Sequence, residues 1–199
     1  MQLTFKERVL KIILEESVRY KSIFVDYEYL VVSKHFKNRK YYIISASEDN
    51  FLHLTGVKTL LSAKYFFDKC LNGTLEENDF SFGYYGQDEK AAKGTVRRKI
   101  KVLPLMMDFL DNEPLVEEGF SKNNVSCSFA TSEGRFTLGF SDSEKVKPKT
   151  LMLGNMLKNP KNIDLIFRKH SSSEFFKEIK YGNIQDFLNE LKYDWTDLE

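Results

Sequence analysis

The chain has 199 residues, with 30 Lys and Arg against 29 Asp and Glu, a formal charge of +1, 42% apolar and 30% charged residues. These are the proportions of a water-soluble globular protein long enough for one ordinary core. They exclude a globally basic nucleic-acid binder while leaving room for a local basic face. Apolar runs such as Leu151-Met152-Leu153 are far too short to cross a bilayer, and Met1 to Glu7 lacks the basic-then-apolar layout of a signal peptide. Cys70 and Cys127 stand far apart and outside any CxxC, so neither a disulfide scaffold nor a structural zinc site is expected, and a reducing cytoplasm fits.

In chain order, Thr4-Phe5-Lys6-Glu7 reads as a capping box that opens a helix running to about Tyr20, with Phe5, Val9, Ile12, Ile13 and Val18 at helical spacing. Tyr27 to Ser33 and Tyr41 to Ser45 read as strands around the basic turn Lys34 to Lys40. Asn50 to Val57 is a short apolar segment ending near Gly56. Ser62 to Leu71 is a helix stopped by Asn72-Gly73. Phe80 to Gln87 is a strand or an aromatic loop. Thr95 starts a second long helix whose apolar stripe is Val96, Ile100, Leu103, Met107 and Leu110, with Pro104 expected to kink or break it. Val125 to Ala130 and Arg135 to Phe140 form a hairpin about Ser132-Glu133-Gly134, and Ile163 to Phe167 is a strand. Asn183 caps a last helix that buries Ile184, Phe187, Leu188 and Leu191. The whole reads as one α+β domain over 1–199: helix, strands and apolar segment in 1–75, helix and antiparallel sheet in 95–180, and a terminal helix and tail in 183–199. The expected architecture is an antiparallel β-sheet with helices packed on one face.

Several chemistries lack their signatures. There is no GxGxxG, no GxxxxGK[ST] and no GxSxG, and His35, His53 and His170 are not spaced with other metal ligands. Metal-independent chemistry without a cofactor is therefore expected. On a strand, His53 and Thr55 would share a face, which pairs a proton-carrying imidazole with a hydroxyl. The plain alternative is a buried imidazole satisfied by a carbonyl. Basic residues cluster at Lys34–Lys40, Lys90–Lys101, Lys145–Lys149, Lys158–Lys161 and Arg168–His170. Arg98 projects from the second long helix while Lys99 lies beside its apolar stripe; Lys149 and Thr150 follow a turn fixed by Pro148; Lys169 ends a strand. Such cations can hold a phosphodiester, although any single cluster is more often a solvated surface. Tyr84-Tyr85, Tyr41-Tyr42 and Phe36 are candidates to stack on unpaired bases, most aromatics in so rich a chain (17 Phe, 10 Tyr) being core.

At Asn50-Phe51-Leu52-His53-Leu54-Thr55-Gly56-Val57 the sequence resembles the fourth class of phage barnase/EndoU/colicin/RelE-like nuclease domains, the BECR fold. In the same order follow the helix Ser62 to Leu71, the segment Arg97 to Leu103, the hairpin end Thr137 to Phe140, Pro148-Lys149-Thr150-Leu151 and Arg168-Lys169, so that the likeness spans about residues 5 to 180. The resemblance implies a small α+β fold and a metal-independent endoribonuclease of a phage or other mobile element. Its catalytic residues would be His53, Thr55, Lys99 and Lys169, with Arg98, Lys149 and Thr150 on the substrate. A Tyr expected soon after the last strand is Phe176 here. The implied partner is RNA, with an antitoxin or host protein as a further one and no membrane. The alternative is a non-catalytic RNA- or protein-binding member of the same fold, which the near-neutral charge and Phe176 favour. The plainest reading is a structural protein with His53 in its core.

Overall fold

The computed structural model describes residues 2–83, 88–109, 113–122 and 124–188. Helix α1 (Phe5–Tyr20) opens at the expected capping box: the Thr4 hydroxyl accepts from the Glu7 amide at 3.1 Å, and the Glu7 carboxylate accepts from the Thr4 amide at 2.6 Å. Two amides that a helix start leaves without intrahelical partners are thereby satisfied. A π turn, Lys21–Val25, continues the helix and carries Phe24, whose ring stacks on Phe109. Strands β1 (Tyr27–Val32) and β2 (Tyr42–Ser45) pair antiparallel around the basic turn. Tyr29, Val31, Tyr42 and Ile44 are buried, as the two-residue period of a strand requires.

The segment Asn50–Thr55 is a helix, α2, and not the strand its alternation implied. Its buried residues, Phe51, Leu54 and Thr55, recur three and four apart. Gly56 closes it in the left-handed region at φ 78°. Residues two apart on a helix point roughly 200° apart, so His53 and Thr55 do not share a face. Thr55 is fully buried and His53 exposed. An apolar run this short carries too few residues for its period to decide between helix and strand.

Helix α3 (Ala63–Leu71) is capped by the Ser62 hydroxyl, which accepts from the Tyr65 amide, and ends at Asn72-Gly73 as expected. Helix α4 (Glu89–Met106) starts six residues before Thr95, because Asp88 caps it by accepting from the Lys90 amide at 2.9 Å. Val96, Ile100, Leu103 and Met107 are buried on its stripe, and Leu110 lies outside the described residues. Pro104 falls in the last turn, and the helix ends two residues later.

The remaining strands are β3 (Leu115–Glu118), β4 (Ser121–Lys122), β5 (Val125–Ser126), β6 (Phe129–Ser132), β7 (Phe136–Phe140), β8 (Lys145–Val146), β9 (Pro148–Leu153), β10 (Lys161–Asn162), β11 (Leu165–His170) and β12 (Glu178–Tyr181). They form two five-stranded sheets, ordered β12-β11-β1-β2-β8 and β10-β3-β6-β7-β9, and a ribbon of β4 with β5. All pairs are antiparallel except β2 with β8. The expected hairpin is β6–β7, turning at Gly134. The fold is thus α+β, with antiparallel sheets and the helices gathered together: α2 and α4 pack on β9, while α1 packs on α3 and α4. The terminal helical turn, 184–188, is capped by Asn183 as expected, yet Ile184 and Leu188 are exposed, which corrects the buried face assigned to it. Leu191 lies outside the described residues.

Candidate nucleic-acid cleft

A cleft of about 430 Å³ opens where α2, the loop after it, α4, β5 and β9 meet. His53 of α2, Lys99 of α4, and Lys149 and Thr150 of β9 line it. Residues separated by up to about a hundred positions in sequence are brought to one wall because α2 and α4 pack on each other and both on β9.

Gly56 makes the approach of Lys99 possible. A Cβ built on it would lie 2.8 Å from Lys99 Cδ, so the lysine stem crosses directly over the glycine backbone. The ammonium then donates to the carbonyl of His53 at the open end of α2, where the unpaired carbonyls of a helix end favour a cation. Thr55 serves the same helix end from beneath: its hydroxyl donates to Leu52 O at 2.7 Å and accepts from the Val57 amide at 3.3 Å. It does not line the cleft. In FLHLTG, therefore, the imidazole faces the cleft, the threonine fixes the turn, and the glycine admits a lysine from another helix.

Burial, and after it the charge of Lys58, brings the Lys99 ammonium down to about 8. The Lys149 ammonium donates to Ser126 O at 2.8 Å, joining β9 to β5. Thr150 is buried beside it. Under the floor a Cβ on Gly139 would meet Cys127 Sγ at 2.6 Å and Thr150 Cγ2 at 2.9 Å, so the floor is closely packed. Burial pushes the Cys127 thiol up, the charge of Lys149 offsetting only part of the shift, so it is no nucleophile. None of the described residues lining the cleft carries a carboxylate.

Two expected members lie elsewhere. Arg98 is exposed, donating to Thr95 Oγ1 at 3.2 Å, and is not in the cleft wall. Lys169 lines a different hollow, with Arg168, His170 and Lys177. Its ammonium is 3.2 Å from Glu28 Oε2, donates to Ser173 O at 2.5 Å and lies over the Phe176 ring. Glu28 is buried and also accepts from Lys145 at 2.8 Å. Burial pushes its carboxyl up, but bonds from Lys145, Ser45 and Lys169 more than offset this and leave it below its ordinary value. The strand end thus aims Lys169 at a buried carboxylate, which holds three strands together.

Of the stacking candidates, Tyr42 is buried with its hydroxyl donating to Glu118 at 2.7 Å, and Phe36 packs edge-on against it. Tyr41 is exposed but outside the cleft wall, and Tyr84-Tyr85 lie outside the described residues. Sequence reasoning missed Lys58, two residues beyond Gly56, and Phe82, whose ring lines the cleft and packs on Phe5 at 5.1 Å. The run FLHLTGVK contained the signal for Lys58. Phe82 had none beyond its place in an aromatic stretch.

An α+β scaffold with a cation-lined cleft free of described carboxylates is suited to holding a phosphate polyanion. The chain belongs to the phage-Barnase-EndoU-ColicinE5/D-RelE like nuclease4 family, whose model matches residues 12–180 and so covers the whole cleft. No curated protein and no solved structure matches it. Among the described residues, no helix is long and apolar enough to cross a membrane.

Proposed function

We propose that the chain is an endoribonuclease acting in the cytoplasm, and that its reaction takes place in the cleft at His53. The single observation that carries this reading is the gathering of His53, Lys99 and Lys149 from α2, α4 and β9 into one open cleft, in a chain of a nuclease family. A ribose 2′-oxygen gives up its proton and bonds to the adjacent phosphorus. The bond from phosphorus to the 5′-oxygen breaks, and that oxygen takes up a proton. The products are a 2′,3′-cyclic phosphate and a free 5′-hydroxyl. The exposed His53 imidazole carries the proton, while Lys99 and Lys149 stabilise the charge that gathers on the phosphorane oxygens. Thr55 and Lys169 have no part in this scheme: the first holds the end of α2, the second holds Glu28.

The test is cleavage of RNA in EDTA by the wild type and by His53→Ala. The expected loss is about 10²–10⁴ in rate, the worth of general acid–base assistance. Equal rates would remove His53 from the mechanism. RNA bound by the wild type but never cut would select the non-catalytic member of the fold instead.

A further inference from the structure

The cleft does not end at Lys58. A second hollow, of about 260 Å³, opens beyond it, and Lys58 and Thr59 line both. Its shape is held by the backbone. Lys58 and Ser81 exchange amide-to-carbonyl bonds of 2.8 and 2.7 Å, and the Thr59 hydroxyl donates to the Asp79 carbonyl at 2.6 Å. Its chemistry differs from that of the first hollow. Leu60 stands fully exposed on its rim, Asn78 is exposed beside it, and the Asp79 carboxylate is engaged by Lys69 at 2.7 Å. A carboxylate at the edge opposes a phosphate, whereas an apolar side chain next to a neutral amide suits a planar ring with polar edges.

We infer that this second hollow is a nucleobase subsite. An unpaired base adjoining the nucleotide at His53 lies against Leu60 with its polar edge toward Asn78, and the phosphate joining the two nucleotides crosses at Lys58. The inference rests on the nuclease reading of the cleft and adds to it a substrate class: a strand whose bases are unpaired over at least two nucleotides, since a base in the hollow has no edge left for a complement. Leu60 is fully exposed, and lying against a base removes its apolar surface from solvent.

The experiment is an NMR titration of the isotope-labelled full chain with 2′-fluoro oligonucleotides of one, two and four residues, which lack the attacking hydroxyl and cannot be cut by the proposed reaction. The expected result is that amides of Leu60 and Ser81 shift with the dinucleotide and longer strands but not with the mononucleotide, and that a hairpin of the same sequence binds more weakly. Leu60→Ala and Asn78→Ala are each expected to weaken dinucleotide binding about fivefold, the scale of one partly buried apolar side chain or one hydrogen bond, and to leave mononucleotide binding unchanged. Both side chains are exposed, and the same spectra report that the variants are folded. Affinity that stops rising at one nucleotide, or variants that bind the dinucleotide as the wild type does, would overturn the subsite and leave the nuclease reading standing. Binding of the 2′-fluoro dinucleotide together with no cleavage of the matching 2′-hydroxyl RNA would overturn the nuclease activity and leave the subsite standing. No binding at any length would overturn both.

Discussion

Lys99 carries a charge that its surroundings disfavour. Burial, then the nearby Lys58, lowers its pKa from 10.5 to about 8, so the ammonium begins to empty just above neutrality. If it acts as the cation that steadies the phosphorane, kcat/KM falls as pH rises through about 8. A guanidinium does not deprotonate there, so Lys99→Arg is expected to move that falling limb to higher pH, even where it lowers the maximum. A pH–rate profile of the two proteins decides it, and an unmoved limb would assign the titration to another group. The same shift has a consequence for stability. The folded pKa is below the unfolded one, so between about 8 and 10.5 the unfolded chain holds more protons, and this group's contribution to stability rises with pH across that window. At neutral pH the fold retains a destabilising charge, as sites that must present charge to a substrate commonly do.

The crossing of α4 over the end of α2 gives the cleft its geometry, and Gly56 is where the two elements meet. Gly56→Ala forces a side chain into the left-handed region, at about 1–2 kcal/mol, and also drives a methyl into the Lys99 stem. Gly73 provides the control: its φ is +68°, yet nothing lies within 4 Å of a Cβ there. Gly73→Ala is therefore expected to lose stability by a similar backbone term and keep its activity. Gly56→Ala is expected to lose about tenfold or more in kcat/KM at temperatures where circular dichroism shows it folded, because Lys99 must move. If the two variants lose activity alike, the close approach has no catalytic consequence. Elsewhere the elements were legible to different degrees. The capping box at Thr4 and Glu7 and the alternating Phe136, Leu138 and Phe140 are local patterns, and local physics decided both. Asn50–Thr55 admitted a strand's alternation because six residues match either period, and the start of α4 was misplaced because its cap, Asp88, stands ahead of the apolar stripe.

At the scale of the molecule, a formal charge of +1 is compatible with binding a polyanion only because the cations are unevenly placed. Lys58, Lys99 and Lys149 line one cleft whose described lining residues include no carboxylate. Three phosphate contacts on a single strand give a slope of about −2 for log affinity against log salt. A titration from low to moderate salt measures it, and a slope near zero would mean that these lysines do not meet phosphate. The sequence by itself determined the α+β class, the helix and hairpin signals, the want of a membrane-crossing run, and the likeness to the nuclease family. All of these depend on residue type and on spacings of a few positions. Only the tertiary structure decided which cations belong together. Lys99 and Lys149 line one cleft with His53 because α2 and α4 pack on β9, Thr55 turns inward because its segment is helical, and Lys169 is held by Glu28. A charged side chain leaves no periodic mark on the sequence that names its partner; that partner is set by the packing of apolar faces far from it along the chain.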